Sequence, residues 1–116
     1  PTTLLGQKTA TSPYGRKAAN SGYPVHMAEL ISSFEGCYYS ERVSVNSPNN
    51  IMAAKKAIKK SVQYQMDGKG LSFVEVVSQC PTGWGVKPLD SLKMVDTSMT
   101  KIYPLGVFKD SGVERN

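Results

Sequence analysis

The sequence predicts an α/β fold: one strand–helix–strand unit with a flanking helix and extended arms, part of a doubly wound, mostly parallel sheet and incomplete alone. Three observations carry this. Residues 71–79 are nearly continuous in β-branched and aromatic side chains (Phe73, Val74, Val76, Val77), as in central parallel strands covered on both faces. A shorter strand-like run, residues 38–45, precedes it, and a long helical segment separates the two. Both runs end on turn residues at matching ends: Asn46-Ser47-Pro48 after the first, Cys80-Pro81-Thr82-Gly83-Trp84-Gly85 after the second.

At 116 residues the chain is of single-domain size. It is 40% hydrophobic and 20% charged, so a packed core is feasible. No apolar run approaches the roughly 20 residues that span a bilayer, and no signal-peptide pattern opens the chain. It begins Pro1-Thr2-Thr3, which reads as a piece of something longer. Two cysteines are too few for a disulfide framework and fit a reducing cytosol, so a cytoplasmic location is expected. The net charge of +5 suits a solvated surface, an acidic protein partner or nucleic acid.

Residues 1–22 show neither helical nor strand period and are rich in Thr, Ser, Gly and Pro. Loops beyond about 15 residues are usually functional or disordered. An arm that wraps a partner or borders a cofactor pocket fits, and so does a flexible cut end. Pro24 then opens a helix with Met27, Leu30, Ile31 and Phe34 on one stripe. In the strand that follows, Tyr39, Val43 and Val45 share one face, and Ser40, Arg42 and Ser44 form a polar opposite face. Glu41 breaks the alternation, which an edge position would tolerate. Ser47 can cap the next helix and Pro48 suits its first turn. That helix is expected to reach Met66, to bury Ile51, Ala54, Ile58 and Val62, and to end at Gly68 and Gly70.

The two strands should be parallel with a right-handed crossover. The 45–46 turn and Cys80 then share one rim of the sheet, where ligands of open α/β folds gather. Beyond Gly85, residues 88–95 read as a short helix. Residues 103–110 are apolar but broken by Pro104 and Gly106, like an extended tail lying across a neighbour. The organisation is therefore arm 1–22, αβαβ unit 23–85 and tail 86–116. Two parallel strands alone are not a stable sheet. A larger sheet, or a second copy in a homo-oligomer, should complete it.

Pro1-Thr2-Thr3, Thr11-Ser12-Pro13-Tyr14-Gly15-Arg16, Gly22-Tyr23-Pro24, Asn46-Ser47-Pro48, Cys80-Pro81-Thr82-Gly83-Trp84-Gly85 and the tail from Tyr103 to Asp110 together resemble the thiamine-diphosphate-binding beta subunit of the 2-oxoacid:ferredoxin oxidoreductases. The branch it looks most similar to is the 2-oxoisovalerate type, with 2-oxoglutarate and pyruvate enzymes as neighbours. The resemblance covers nearly the whole chain and implies its carboxy-terminal position in that subunit. It implies oxidative decarboxylation of a 2-oxoacid on thiamine diphosphate with Mg2+, electron transfer through a [4Fe–4S] cluster to ferredoxin, and acyl transfer to coenzyme A. The family's Gly-Asp-Gly motif is not in this sequence, and Asn49-Asn50 sits at a helix start with no such motif ahead of it. Cys80 matches the fourth cluster ligand. Thiolates are the usual ligands of such clusters, and one thiolate cannot hold a cluster, so the isolated chain is expected to be inactive and without cofactor. Thr2, Thr3 and Gln7 would border the thiamine pocket. Other subunits and ferredoxin are the implied partners.

The remaining candidates are weaker. Cys37 reads as core packing, with a Cys37–Cys80 disulfide as the alternative under oxidation. His26 reads as a surface residue. Trp84 either shields the cluster or packs against the sheet. Lys55, Lys56, Lys59 and Lys60 form a ridge that is either solvated or a dock for an acidic carrier such as ferredoxin. Glu29, Glu35 and Glu41 show no pairing pattern for acid–base work. The rival function is a small basic module that contacts RNA or a protein, although no RNA-binding motif is present; a purely structural interaction domain is the third reading.

Overall fold

The computed structural model describes residues 3–113. The predicted border residue Thr2 lies outside the described residues. In chain order the elements are α1 (Ala18–Ser21), α2 (Met27–Ser32), β1 (Cys37–Ser44), α3 (Pro48–Met66), β2 (Leu71–Val77), α4 (Pro81–Trp84), α5 (Pro88–Met94), a π-helical turn (Val95–Met99), α6 (Thr100–Ile102) and β3 (Gly106–Asp110).

The strands form one mixed sheet in the order β2-β1-β3. β1 and β2 run parallel, with Ser44 beside Val77 at their carboxyl ends. The tail is not a loose extension: residues 106–110 pair antiparallel with β1, Tyr39 opposite Asp110 and Arg42 opposite Gly106. β1 is thus the central strand rather than an edge, and β2 and β3 are the two edges. The outer edge of β2 has no strand beside it among the described residues, so the sheet is α/β and incomplete alone.

Both faces are covered. On one, Val43 packs with Ala54 and Ala57 of α3, with Val45 and Val74 alongside. On the other, Val77 packs with Val95, Met99 and Tyr103, and Leu4 and Trp84 close over them. Helix α3 starts and stops as its sequence dictates. The Ser47 hydroxyl accepts from Asn50 N at 3.2 Å, Pro48 fills the first turn, and Gly68 leaves the helix at φ +65°.

One sequence expectation about faces holds only in part. Of the apolar stripe expected to be buried on α3, Ala54 packs on the sheet beside Ala57, while Ile51, Ile58 and Val62 are 39–51% exposed. The polar face of β1 is covered as well. Ser40, Arg42 and Ser44 are buried, because α2, the loop before β3 and the β1–α3 turn bring them partners. The Ser40 hydroxyl donates to Ala28 O at 2.8 Å. The Arg42 guanidinium forms a fork with both oxygens of Glu29, donates from Nε to Glu75 Oε2 at 2.9 Å, and reaches Pro104 O at 3.1 Å. It sits about 5 Å from the ring centres of Tyr103 and Phe108. One buried cation thereby ties α2, β1, β2 and the tail together.

Candidate functional site at the carboxyl rim

The rim at the carboxyl ends of β1 and β2 gathers the residues singled out in the sequence. Cys80 follows β2 directly, precedes α4 and is exposed with a free thiol. Its position is held by backbone. Cys80 O accepts from Trp84 N at 2.9 Å, and Val86 N donates to Pro81 O at 3.0 Å. Gly83 lies against the sulfur so closely that a Cβ there would stand 2.7 Å from Cys80 Sγ. The glycine is what gives the thiol its room.

The arm packs onto this turn. Ala10 N donates to Gly83 O at 2.8 Å, and Lys8, Thr9, Ala10 and Pro13 line a shallow cleft with Thr82–Gly85. The arm's order comes from Arg16, which is buried without a carboxylate partner among the described residues. Its guanidinium donates to four backbone carbonyls, those of Thr3, Ser21, Gly22 and Tyr23, at 2.9–3.2 Å. Sequence reasoning missed this hub, since backbone acceptors leave no pattern in side-chain composition.

Thr3 and Gln7 stand on the same arm. Thr3 is half-buried and gives its carbonyl to Arg16. Gln7 Oε1 accepts from Leu4 N at 2.9 Å and Gln7 N donates to Leu4 O, which closes a tight turn. Leu4 joins the core cluster with Trp84, so this turn and the Cys80 turn rest on one support. Beside it, Leu4, Leu5, Tyr23, Pro24, His26 and Ile102 line an open cavity of about 520 Å³, mostly apolar.

The β1–α3 turn completes the rim. Asn46 is buried and fully used: Ser44 Oγ and Asn50 Nδ2 donate to its Oδ1, and its Nδ2 donates to Asp96 Oδ1 at 2.9 Å and Leu92 O at 3.3 Å. It clamps the turn to α5. Read only as a helix-start residue in the sequence, it is a rim clamp in the fold.

Other candidates fall elsewhere. Cys37 is buried at the amino end of β1, the opposite rim from Cys80, and both thiols are free. Burial pushes its thiol pKa up. Trp84 packs on the core cluster. His26 is exposed at the start of α2, 3.6 Å from Glu29 and stacked at 4.9 Å on Tyr103. Lys60 leaves the ridge, because its Nζ is 3.0 Å from Asp110 Oδ2. Glu41 is half-buried and takes the Tyr39 hydroxyl; burial raises its pKa. Among the described residues no cluster of three or more His, Cys, Asp or Glu could hold a metal, and no helix is long and apolar enough to cross a membrane.

Comparison with known proteins extends the pattern along the chain. It is 40% identical over 114 residues to the ketoisovalerate oxidoreductase subunit VorA of Methanothermobacter thermautotrophicus, a match covering 98% of this chain and 24% of that protein. It is 37% identical over 124 residues to the 2-oxoglutarate synthase subunit KorB of Archaeoglobus fulgidus, covering 98% and 42%. With the pyruvate synthase subunit PorB of Methanocaldococcus jannaschii it shares 28% over 98 residues, covering 84% and 30%. No protein-family model matches the chain, and no solved structure does. The chain spans about a quarter of the length of the VorA proteins. Matches running through arm, rim and tail alike, to subunits of three related enzymes, place the chain in the family of 2-oxoacid:ferredoxin oxidoreductase subunits, of which it spans a part.

Proposed function

We propose that the chain is the carboxy-terminal part of the thiamine-diphosphate-binding beta subunit of a ferredoxin-dependent 2-oxoacid oxidoreductase, and that Cys80 supplies one thiolate of its [4Fe–4S] cluster. The carrying observation is the exposed thiol at the carboxyl end of β2, with Gly83 leaving it room. The donor chemistry fits, since thiolate is what such clusters take. The chain offers one ligand, so the others belong to the rest of the subunit. When bound, the cluster would carry electrons from the decarboxylated 2-oxoacid towards ferredoxin, with the acyl group passing to coenzyme A.

The chain's own residues would orient and enclose. The Thr3–Gln7 turn, with Thr2 ahead of it, borders the pocket for thiamine diphosphate and its Mg2+. The Gln7 side-chain oxygen Oε1 holds that turn closed, and Arg16 holds the arm against the rim. Among the described residues, the cavity beside Leu4, Leu5 and Ile102 is lined also by Tyr23, Pro24 and His26, with no Lys or Arg. A second carboxylate would need a cation there. An aliphatic chain needs none, which favours 2-oxoisovalerate over 2-oxoglutarate. In this reading the protein works in the cytoplasm with other subunits, and the free β2 edge is covered by the rest of the subunit.

The test is Cys80→Ser in the whole enzyme. Iron content and the low-temperature electron paramagnetic resonance signal of the reduced cluster should both fall, with the subunit still assembled. A full iron complement and an unaltered signal would reject Cys80 as a ligand.

A further inference from the structure

The outer face of α3 is unusual for a helix in contact only with water. Ile51, Met52, Ile58, Val62 and Met66 are 39–77% exposed. At about 100° per residue they fan out from roughly a fifth of a turn (Ile58) to roughly half a turn (Met52) away from the Ala54–Ala57 line that meets the sheet. Lys55, Lys56 and Lys59 are exposed on the same side, with no carboxylate in ion-pair range among the described residues. The 19 residues of the helix include no Asp or Glu. A solvated helix face interleaves both signs and carries few aliphatics.

We propose that this face docks another subunit of the enzyme, one whose surface offers an apolar centre edged by carboxylates. The inference rests on the proposed function for the existence of such subunits, but not on the role of Cys80. A second copy of the chain is a poor occupant, because a two-fold contact would set these lysines against themselves. A transient electron carrier is also poor, since such encounters bury little surface and durable interfaces are the more hydrophobic ones. Nucleic acid would engage the lysines and leave the aliphatic side chains uncovered.

The experiment uses the full-length subunit and the purified remaining subunits of its enzyme, titrated calorimetrically at two salt concentrations. The combined Lys55→Glu, Lys56→Glu and Lys59→Glu variant should bind about tenfold or more weakly and lose much of its salt dependence. Ile58→Asp with Val62→Asp should weaken binding as strongly, with little change in salt dependence. Lys69→Glu, in the turn beyond the helix, should bind as the parent does. Among the described residues these lysines make no side-chain hydrogen bond or ion pair within the fold, so their variant keeps the test valid if the aspartate variant fails to fold. Parental affinity in the lysine variant overturns the proposal. So does an effect seen only in the Michaelis constant for ferredoxin, in binding to phosphatidylserine vesicles, or in binding to duplex DNA. Iron content, measured on the same samples, reports on Cys80 separately.

Discussion

Arg42 carries a permanent charge where water does not reach it. Its tolerance there depends on two carboxylates from other elements, Glu29 and Glu75, and on a carbonyl from the tail. The hydrogen bond from Arg42 holds the Glu29 carboxyl below its usual range, against the opposing effect of burial. Removing one partner of such a buried pair is far costlier than never having built it. Arg42→Ala should therefore destabilise the fold by about 3–5 kcal/mol, as read from urea denaturation, whereas Arg42→Met with Glu29→Gln and Glu75→Gln should recover part of the loss. A loss below about 1 kcal/mol for the alanine variant would show that the fork contributes no more than a surface pair. None of this is legible in the sequence. In the sequence Arg42 reads only as one member of a polar strand face, and its partners lie 13 and 33 positions away. Gly83 makes the complementary case. Gly83→Ala must push Cys80 Sγ off its present rotamer, since the new methyl would stand 2.7 Å from it. The rate of Cys80 alkylation in the isolated chain should change several-fold, with the folded spectrum retained; an unaltered rate would mean the sulfur is not confined by that turn.

Among the elements, α3 was readable to the residue, because Ser47, Pro48 and Gly68 specify its ends by local chemistry alone. Its buried face was not, because the stripe of larger aliphatics competes with a line of alanines, and close approach to the sheet selects the smaller side chains. β3 was hidden for a related reason. Pro104 and Gly106 obscure any period, and what makes residues 106–110 a strand is pairing with β1, more than sixty positions earlier. That pairing is latched by Asp110, whose carboxylate accepts from Lys60 Nζ at 3.0 Å, Tyr64 Oη at 2.8 Å and Gly112 N at 3.1 Å. Burial works to raise the Asp110 pKa, yet these bonds together hold it below its ordinary value of 3.8. Burial, followed by the bond to Asp110, pushes Tyr64 up to about 12. A carboxylate with a depressed folded pKa lends stability above its unfolded value and loses it as pH falls through the folded one. The latch should thus be intact at neutral pH and weaken below pH 3.8. Asp110→Asn should be less stable than the parent at neutral pH, and the difference should shrink on acidification through that range. A constant difference across the titration would mean the latch does not depend on the charge of Asp110.

Over the whole molecule, the unfinished side is the outer edge of β2. Three buried side-chain atoms have no hydrogen-bond partner among the described residues: Ser72 Oγ and Gln79 Oε1, in and just after that strand, and Tyr103 Oη. Tyr103 lines a small cavity with Glu75, Val76, Val77, Ser78 and Met99, along the carboxyl half of β2. Burial raises its pKa, with the Glu75 charge adding to the effect, so the hydroxyl keeps its proton and needs an acceptor. Buried polar groups are seldom left unpaired, because the desolvation cost is then not offset. Leu71 and Val76, 45% and 42% exposed, add apolar surface to the same strand. A sheet that continued past β2 would cover this surface and bring the backbone carbonyls that such a hydroxyl needs. The consequence is a change of sign between two contexts. In the isolated chain, Tyr103→Phe removes an unpaired hydroxyl and should be neutral or stabilising by about 1 kcal/mol. In the full-length subunit the same substitution should remove a made bond and destabilise by a similar amount. Backbone amides of β2 should follow, exchanging hydrogen slowly in the full-length subunit and quickly in the isolated chain. Equal exchange in both, with Tyr103→Phe destabilising each alike, would mean that the edge is finished as it stands and that its exposed strand belongs to water.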